Sequence, residues 1–185
     1  MEWIDAVKEY NPCNEQEMKD KEIILKYSRI FDDILTRDNE IIHMTSSAFV
    51  INKSRSKVLM VYHNIYNSWA WTGGHADGEK DLLFVAIKEA GEETGVKKLI
   101  PVNNEIASID ILPVFGHIKK GKFVSPHLHA SLAYIIEADE TEELIVKPDE
   151  NSAVKWIPID EINSFSSELH MKKVYDKIVS KIKNL

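Results

Sequence analysis

Three carboxylates spaced i, i+3 and i+4 on a helix-period segment are the residues of this chain most clearly suited to chemistry: Glu89, Glu92 and Glu93. At about 100° per residue they share one helix face, and each like-charged pair costs about 0.2–0.5 kcal/mol. They also stand near the C-terminal end, where the helix dipole disfavours negative charge by about 0.3–1 kcal/mol each. A cluster unfavourable on both counts calls for a cation, and a hard divalent ion with oxygen ligands, Mg2+ or Mn2+, suits it. Taken alone, the same pattern also describes a solvated acidic face with Lys88 and Glu92 as an ordinary i, i+4 pair.

The surroundings favour the metal. Leu83, Ala86, Ile87, Ala90 and Thr94 form an adjacent stripe, so the helix has a core side next to its acidic side. Gly95 suits the left-handed position just past a helix end. Ahead of the helix, Gly73 and Gly74 allow a ligand to approach the backbone closely. The whole stretch, GGHADGEKDLLFVAIKEAGEETGV, resembles the Nudix hydrolase signature G-x5-E-x7-R-E-U-x-E-E-x-G-U, where U is a bulky apolar residue. Gly74 takes the first glycine, Glu89 the glutamate after the arginine, Glu92 and Glu93 the pair, Gly95 the last glycine and Val96 the final apolar place. Lys88 replaces the arginine, Ala90 is small, and the loop glutamate stands one residue early as Glu79, with Lys80 at its nominal place. Lysine keeps the charge without the bidentate fork, so a Glu79 to Lys88 brace is expected to be loose.

A second group of candidates is imidazoles. His127 and His129 point to the same side of a strand, since i and i+2 share a face. They suit a metal as neutral imidazoles, a phosphate contact when protonated, or a structural polar pair, and without a third soft ligand in sight a zinc site is not expected. This His-x-His strand, and His75 directly after the glycines, resemble features of one Nudix subgroup.

Charge and composition narrow the function classes. The 185 residues carry a net charge of -7 and are 44% hydrophobic, as expected for a globular chain with one sizeable core. No basic run or stripe marks a nucleic-acid surface. Cys13, the only cysteine, allows no internal disulfide and suits a reducing cytoplasm. The acidic start is unlike a signal peptide, and no apolar run reaches the roughly 18 residues of a membrane span.

The elements that must position these groups follow from periodicity. Residues 1–40 are expected to form a helical extension packed on the main domain, as plain packing, a lid or a dimer arm; Asn14 and Glu17 resemble an N-cap and its box partner. From residue 41 strands begin: HMTSSAFVIN and KVLMVYHN as a hairpin, then Trp69 to Trp71 leading into the glycines, where the aromatics serve either as core or as walls for a base. A long strand over 106–118, bent at Pro113, precedes a basic turn at Lys119, Lys120, Gly121 and Lys122. Strands over 131–136 and 153–157 follow, and a closing amphipathic helix over 169–182 is expected to turn its lysines to solvent.

The resemblance implies an α/β/α sandwich with a mixed sheet over residues 41–185. It also implies hydrolysis of a nucleoside diphosphate linked to another moiety, through Mg2+ held by Glu89, Glu92, Glu93 and Glu150. Lys88 assists, Glu89 or Glu150 acts as base, Asp149 stands behind Glu150, and Gly73, Gly74, His75, His127 and His129 contact substrate. The same fold also serves ligand-sensing modules that bind nucleotides without turnover, and its isoprenoid isomerases need a pocket cysteine, which Cys13 in the extension does not supply.

Overall fold

The computed structural model describes residues 2–119 and 121–185. Its first elements are helices α1 (Trp3–Glu9) and α2 (Glu15–Tyr27). Asn14 caps α2 by accepting from Glu17 N at 2.9 Å, as its position predicts. The reciprocal bond runs from Cys13 N to Glu17 Oε2 at 2.8 Å, one residue before the cap.

The sheet is built from β1 (Ile42–Asn52), β2 (Lys57–His63), β3 (Ser68–Ala70), β4 (Thr72–His75), β5 (Leu99–Pro101), β6 (Ser108–Val114), β9 (His127–Ala138) and β10 (Asn151–Pro158). A separate ribbon pairs β7 (His117–Lys119) with β8 (Lys122–Val124). The segment expected as one bent strand over 106–118 is therefore two strands in two sheets, with Phe115 and Gly116 between them. Of the expected basic turn, Lys120 lies outside the described residues.

β1 is the spine. It runs parallel to β9 from Ile42↔Leu128 to Asn52↔Ala138, while β2 and β4 pair antiparallel along its other edge. The sheet is thus mixed, and its two faces separate by residue parity. Met44, Ala48 and Val50 turn to helix α3 (Leu82–Thr94) and to the N-terminal helices, burying Leu82, Val85, Ala86, Val7 and Ile24 in one core. Phe49 and Ile51 turn the other way, onto Met171, Tyr175 and Ile178 of the closing helix, which follows the short α4 (Ile162–Phe165) as α5 (Leu169–Ile182). The result is helix, mixed sheet, helix.

One expectation fails in α5. Its lysines do not all face solvent: Lys177 is 6% exposed in its side chain and bridges Glu17 at 3.1 Å and Asp110 at 2.7 Å. Helical periodicity reads a lysine as outward because it sees only its own helix. The counter-charges come from α2 and β6, and a buried lysine is stable when paired in this way.

Candidate functional site

The carboxylate helix begins with Asp81, whose side chain caps Phe84 N at 3.0 Å, and ends at Gly95 in the left-handed region with φ 77°. Its buried stripe is Leu82, Val85, Ala86, Ala90 and Thr94, with Leu83 and Ile87 only partly covered. The stripe is rotated from the expected one, and the rotation takes Glu93 inward.

The three carboxylates therefore do not share one exposed face. Glu92 is open to solvent, the Glu89 side chain is 15% exposed and Glu93 is 5% exposed. Burial, with the charges of Glu150 and Glu89, pushes the Glu93 carboxyl up to about 8, against a weak 3.4 Å bond from Gly73 N that favours the anion. Burial also raises Glu89, with Lys88 opposing. The sheet supplies the glycines: Gly73 and Gly74 of β4 pair with Ser47 and Ser46 of β1.

Each glycine has its own reason. A Cβ on Gly74 would fall on the Glu89 side chain, 2.7 Å from its Cγ, whereas one on Gly73 would meet Ser46 O at 2.7 Å and Ser47 Cα at 2.9 Å. A side chain can swing aside and a sheet backbone cannot. Gly73→Ala is thus expected to lose about 1–3 kcal/mol of stability by overpacking. Gly74→Ala should keep nearly all its stability and lose activity through a displaced Glu89. Thermal melts alongside turnover separate the two, and equal melting losses would contradict this assignment.

Glu150 joins the helix carboxylates through Asn151, whose amide donates to Glu93 O at 3.0 Å while its Oδ1 accepts from Lys147 N at 3.3 Å. Asn151 pins the loop over 147–150 against the end of α3. Lys147 sits among the acids, 3.0 Å from Glu150 and 3.4 Å from Glu92, and Lys88 reaches Glu89 and Glu92 at 3.4 and 3.5 Å. Glu79 takes no part in that network. Its Oε1 accepts from Lys80 N and Asp81 N at 2.7 and 2.9 Å, so the glutamate standing one place early closes its own loop instead of bracing Lys88.

These groups bound a cavity of about 420 Å3, within the range of small-ligand sites. Glu89, Glu92, Glu93, Lys147, Asp149 and Glu150 line it, as do His75 and His129, whereas Lys88 is not among its lining residues and His127 joins it only through His129, Nε2 to Nε2 at 3.3 Å. Trp71 lines it too, while its ring packs edge-on against Tyr175 with centroids 5.7 Å apart, so it serves core and wall together. Arg37 lies on the rim, held by both carboxylate oxygens of Asp77 at 2.5–2.7 Å.

The imidazoles are where the sequence was least informative. His43, near the start of β1, is paired in register with His129, and His75 lies opposite Thr45. His43 is thus the third imidazole beside His75 and His129, and the His127 ring lies near it as well, tilted, with centroids 4.9 Å apart. Burial lowers the pKa of His43, which favours its neutral form. Only the strand registers reveal this grouping, because His43 and His129 are far apart along the chain. Lys147 and Asn151 were missed for a different reason: both lie in what reads as a polar turn.

Set against known proteins, a family model described as NUDIX domain matches residues 42–178. No curated protein matches the chain. Among solved structures, similarity is found to an Ap4A hydrolase from C. elegans in a binary complex, at 15% identity and a TM-score of 0.54, covering 77% of this chain and 98% of that one. A Nudix hydrolase from M. smegmatis aligns at 12% identity with a TM-score of 0.58, over 77% and 87%. The E. coli dihydroneopterin triphosphate pyrophosphohydrolase aligns at 13% and 0.53, over 75% and 95%. At these identities the likeness is one of fold.

Proposed function

We propose, from the premise that this chain belongs to the NUDIX domain family, that it hydrolyses the pyrophosphate linkage of a nucleoside diphosphate joined to another moiety, with Mg2+ or Mn2+. The observation that carries this reading is that Glu89, Glu92, Glu93 and Glu150 line the same cavity as Gly73 and Gly74.

The donor set fits a hard divalent cation. It is all oxygen, and desolvation by burial, with the charges of Glu150 and Glu89 adding to it, holds the Glu93 carboxyl at about 8, so a cation at the acids would favour its ionised form. When bound, such an ion lowers the pKa of a water and screens the charge of a diphosphate. The protein's own groups do the rest. Glu89 or Glu150 accepts the proton of the attacking water. Lys147 and Lys88, already among the carboxylates, supply positive charge next to the phosphates. Gly74 leaves room for the Glu89 side chain and Gly73 for β1, and His75 and His129 make the wall on which the far end of the ligand rests. Asp149 lines the same loop edge as Glu150. The substrate is a small molecule, and the single exposed Cys13 fits a reducing, cytoplasmic setting. Among the described residues no helix is long and apolar enough to cross a membrane.

Incubation with a panel of nucleoside diphosphate derivatives in Mg2+, with products identified by mass spectrometry, is expected to give a nucleoside monophosphate from at least one member and none in EDTA. Binding of panel members with no product in either Mg2+ or Mn2+ would instead establish a ligand-sensing module.

A further inference from the structure

We infer that His43, His75 and His129 form a second metal site, for a transition ion of the Zn2+ class, on the cavity wall beside the carboxylate helix. The site goes beyond the hydrolase reading and does not depend on it.

The fold builds this cluster from three adjacent strands. β1 lies between β4 and β9, and parity places residues 43, 45, 47, 75 and 129 on the same face. One nitrogen from each of His43, His75 and His129 lies within 4.8 Å of the others. The ring centroids are 5.1 Å apart for His43 and His75, 5.1 Å for His43 and His129, and 4.9 Å for His75 and His129. With a metal to nitrogen distance of about 2.0–2.1 Å, tetrahedral imidazole ligands stand with centroids about 5 Å apart. Small ring rotations bring the nitrogens to their places.

His43 supplies the independent sign of a ligand. It is 4% exposed, and its Nδ1 lies 2.9 Å from Asn39 O. A carbonyl oxygen only accepts, so Nδ1 carries the hydrogen and the lone pair is on Nε2. That Nε2 is buried with no hydrogen-bond partner. A buried acceptor left unpaired opposes folding, so a ligand that takes up its lone pair is favoured. A ring held at one nitrogen by a backbone carbonyl, with the other turned to its neighbours, is the arrangement of a metal-bound histidine.

His127 acts as a positioning residue. Its Nδ1 is 2.8 Å from Ser125 O, and its Nε2 is 3.3 Å from Nε2 of His129. By the same logic Nε2 of His127 accepts from His129, which puts the His129 lone pair on Nδ1.

The donor chemistry separates this site from the carboxylates. Three neutral nitrogens suit Zn2+ and its neighbours among late transition ions, whereas Mg2+ takes oxygen. Three protein ligands leave one position open, the pattern of sites that bind a substrate or water. His75 and His129 line the cavity, so the open position can receive an anionic oxygen of a ligand there. With no carboxylate among its ligands, the ion would keep its full double charge in an otherwise acidic protein.

The test is a titration of Zn2+ alone into the EDTA-treated full chain against a chromophoric chelator, with Co2+ added in parallel for its visible spectrum. One tight equivalent is expected, unaffected by excess Mg2+ and retained in the Glu92→Gln, Glu93→Gln double variant. His75→Gln and His129→Gln should each raise the Kd by at least about 100-fold, beyond the range seen for outer partners of a metal ligand. Both are only partly buried, so they carry the test even where a His43 variant does not fold. Absence of a tight equivalent, or an equivalent that survives both histidine changes or is lost with the glutamate changes, would overturn the site. The readout uses no substrate, so a failed hydrolysis assay leaves it standing.

Discussion

Glu93→Gln is expected to lower Mg2+-dependent turnover by roughly 10²–10³-fold, because a catalytic cation contributes several kcal/mol and each 1.4 kcal/mol is about tenfold. The same change should leave the metal-free protein more stable at alkaline pH. The Glu93 carboxyl is held at about 8, above its ordinary 4.5, chiefly by burial, with Glu150 and Glu89 adding to it. Between those values the folded protein binds more protons than the unfolded chain, so Glu93 makes stability fall as pH rises through that window. Glutamine keeps the shape and removes the charge. In EDTA at pH 8.5 to 9 the variant should therefore melt above wild type, by an amount that shrinks to nothing near pH 4. A variant that loses activity and also melts lower at pH 9 would place Glu93 among residues that hold the helix in position, not among those that hold the cation.

The candidate carboxylates Glu89, Glu92 and Glu93 were legible as a group because all three lie on one helix. A carboxylate cluster that opposes folding is visible in one helix, because the repulsion is between neighbours three and four apart. The sandwich with a mixed sheet came from the family resemblance of the Gly74 to Val96 stretch, whereas β1, buried at every position, carries no alternation that reveals its two faces. Other features depend on long-range register or on groups brought from elsewhere. The inward turn of Glu93 follows from packing of α3 against β1 and β4, and no periodicity argument fixes that rotation to within one residue. The idle Glu79 depends on loop closure, and the role of Lys147 depends on Asn151 reaching the end of α3. His43 reads as one polar residue at the start of an apolar strand until β9 is laid against it in parallel.

The largest stability effect is expected far from the cavity, at Glu17. Its side chain is fully buried and receives Cys13 N at 2.8 Å, Lys177 at 3.1 Å and Lys181 at 3.2 Å, and Ser108 adds a longer bond. Burial works against its charge, yet the Cys13 amide, the Tyr10 hydroxyl and Lys177 together hold its carboxyl down to about 2. Lys177 is shared with Asp110, and Lys181 also donates to Ala107 O at 2.6 Å, so α2, β6 and α5 meet at these charges. Removing one member of a buried ion network strands the others, which costs about 3–5 kcal/mol. Glu17→Gln should therefore lower the melting temperature by roughly 10–15 °C at pH 7 for a chain of this size. The pH dependence has a definite sign. A carboxyl depressed in the folded state stabilises above its unfolded value near 4.5, and the benefit is lost as pH falls toward 2. The gap between wild type and Glu17→Gln should thus narrow by about 3 kcal/mol from pH 6 to pH 2. Lys177→Met, which leaves Glu17 with Lys181, should cost less than the glutamate change. Equal melting of wild type and Glu17→Gln at pH 7 would mean that the N-terminal helices are held by their apolar contacts alone, Val7 and Ile24 among them, and that the charges beneath them only break even.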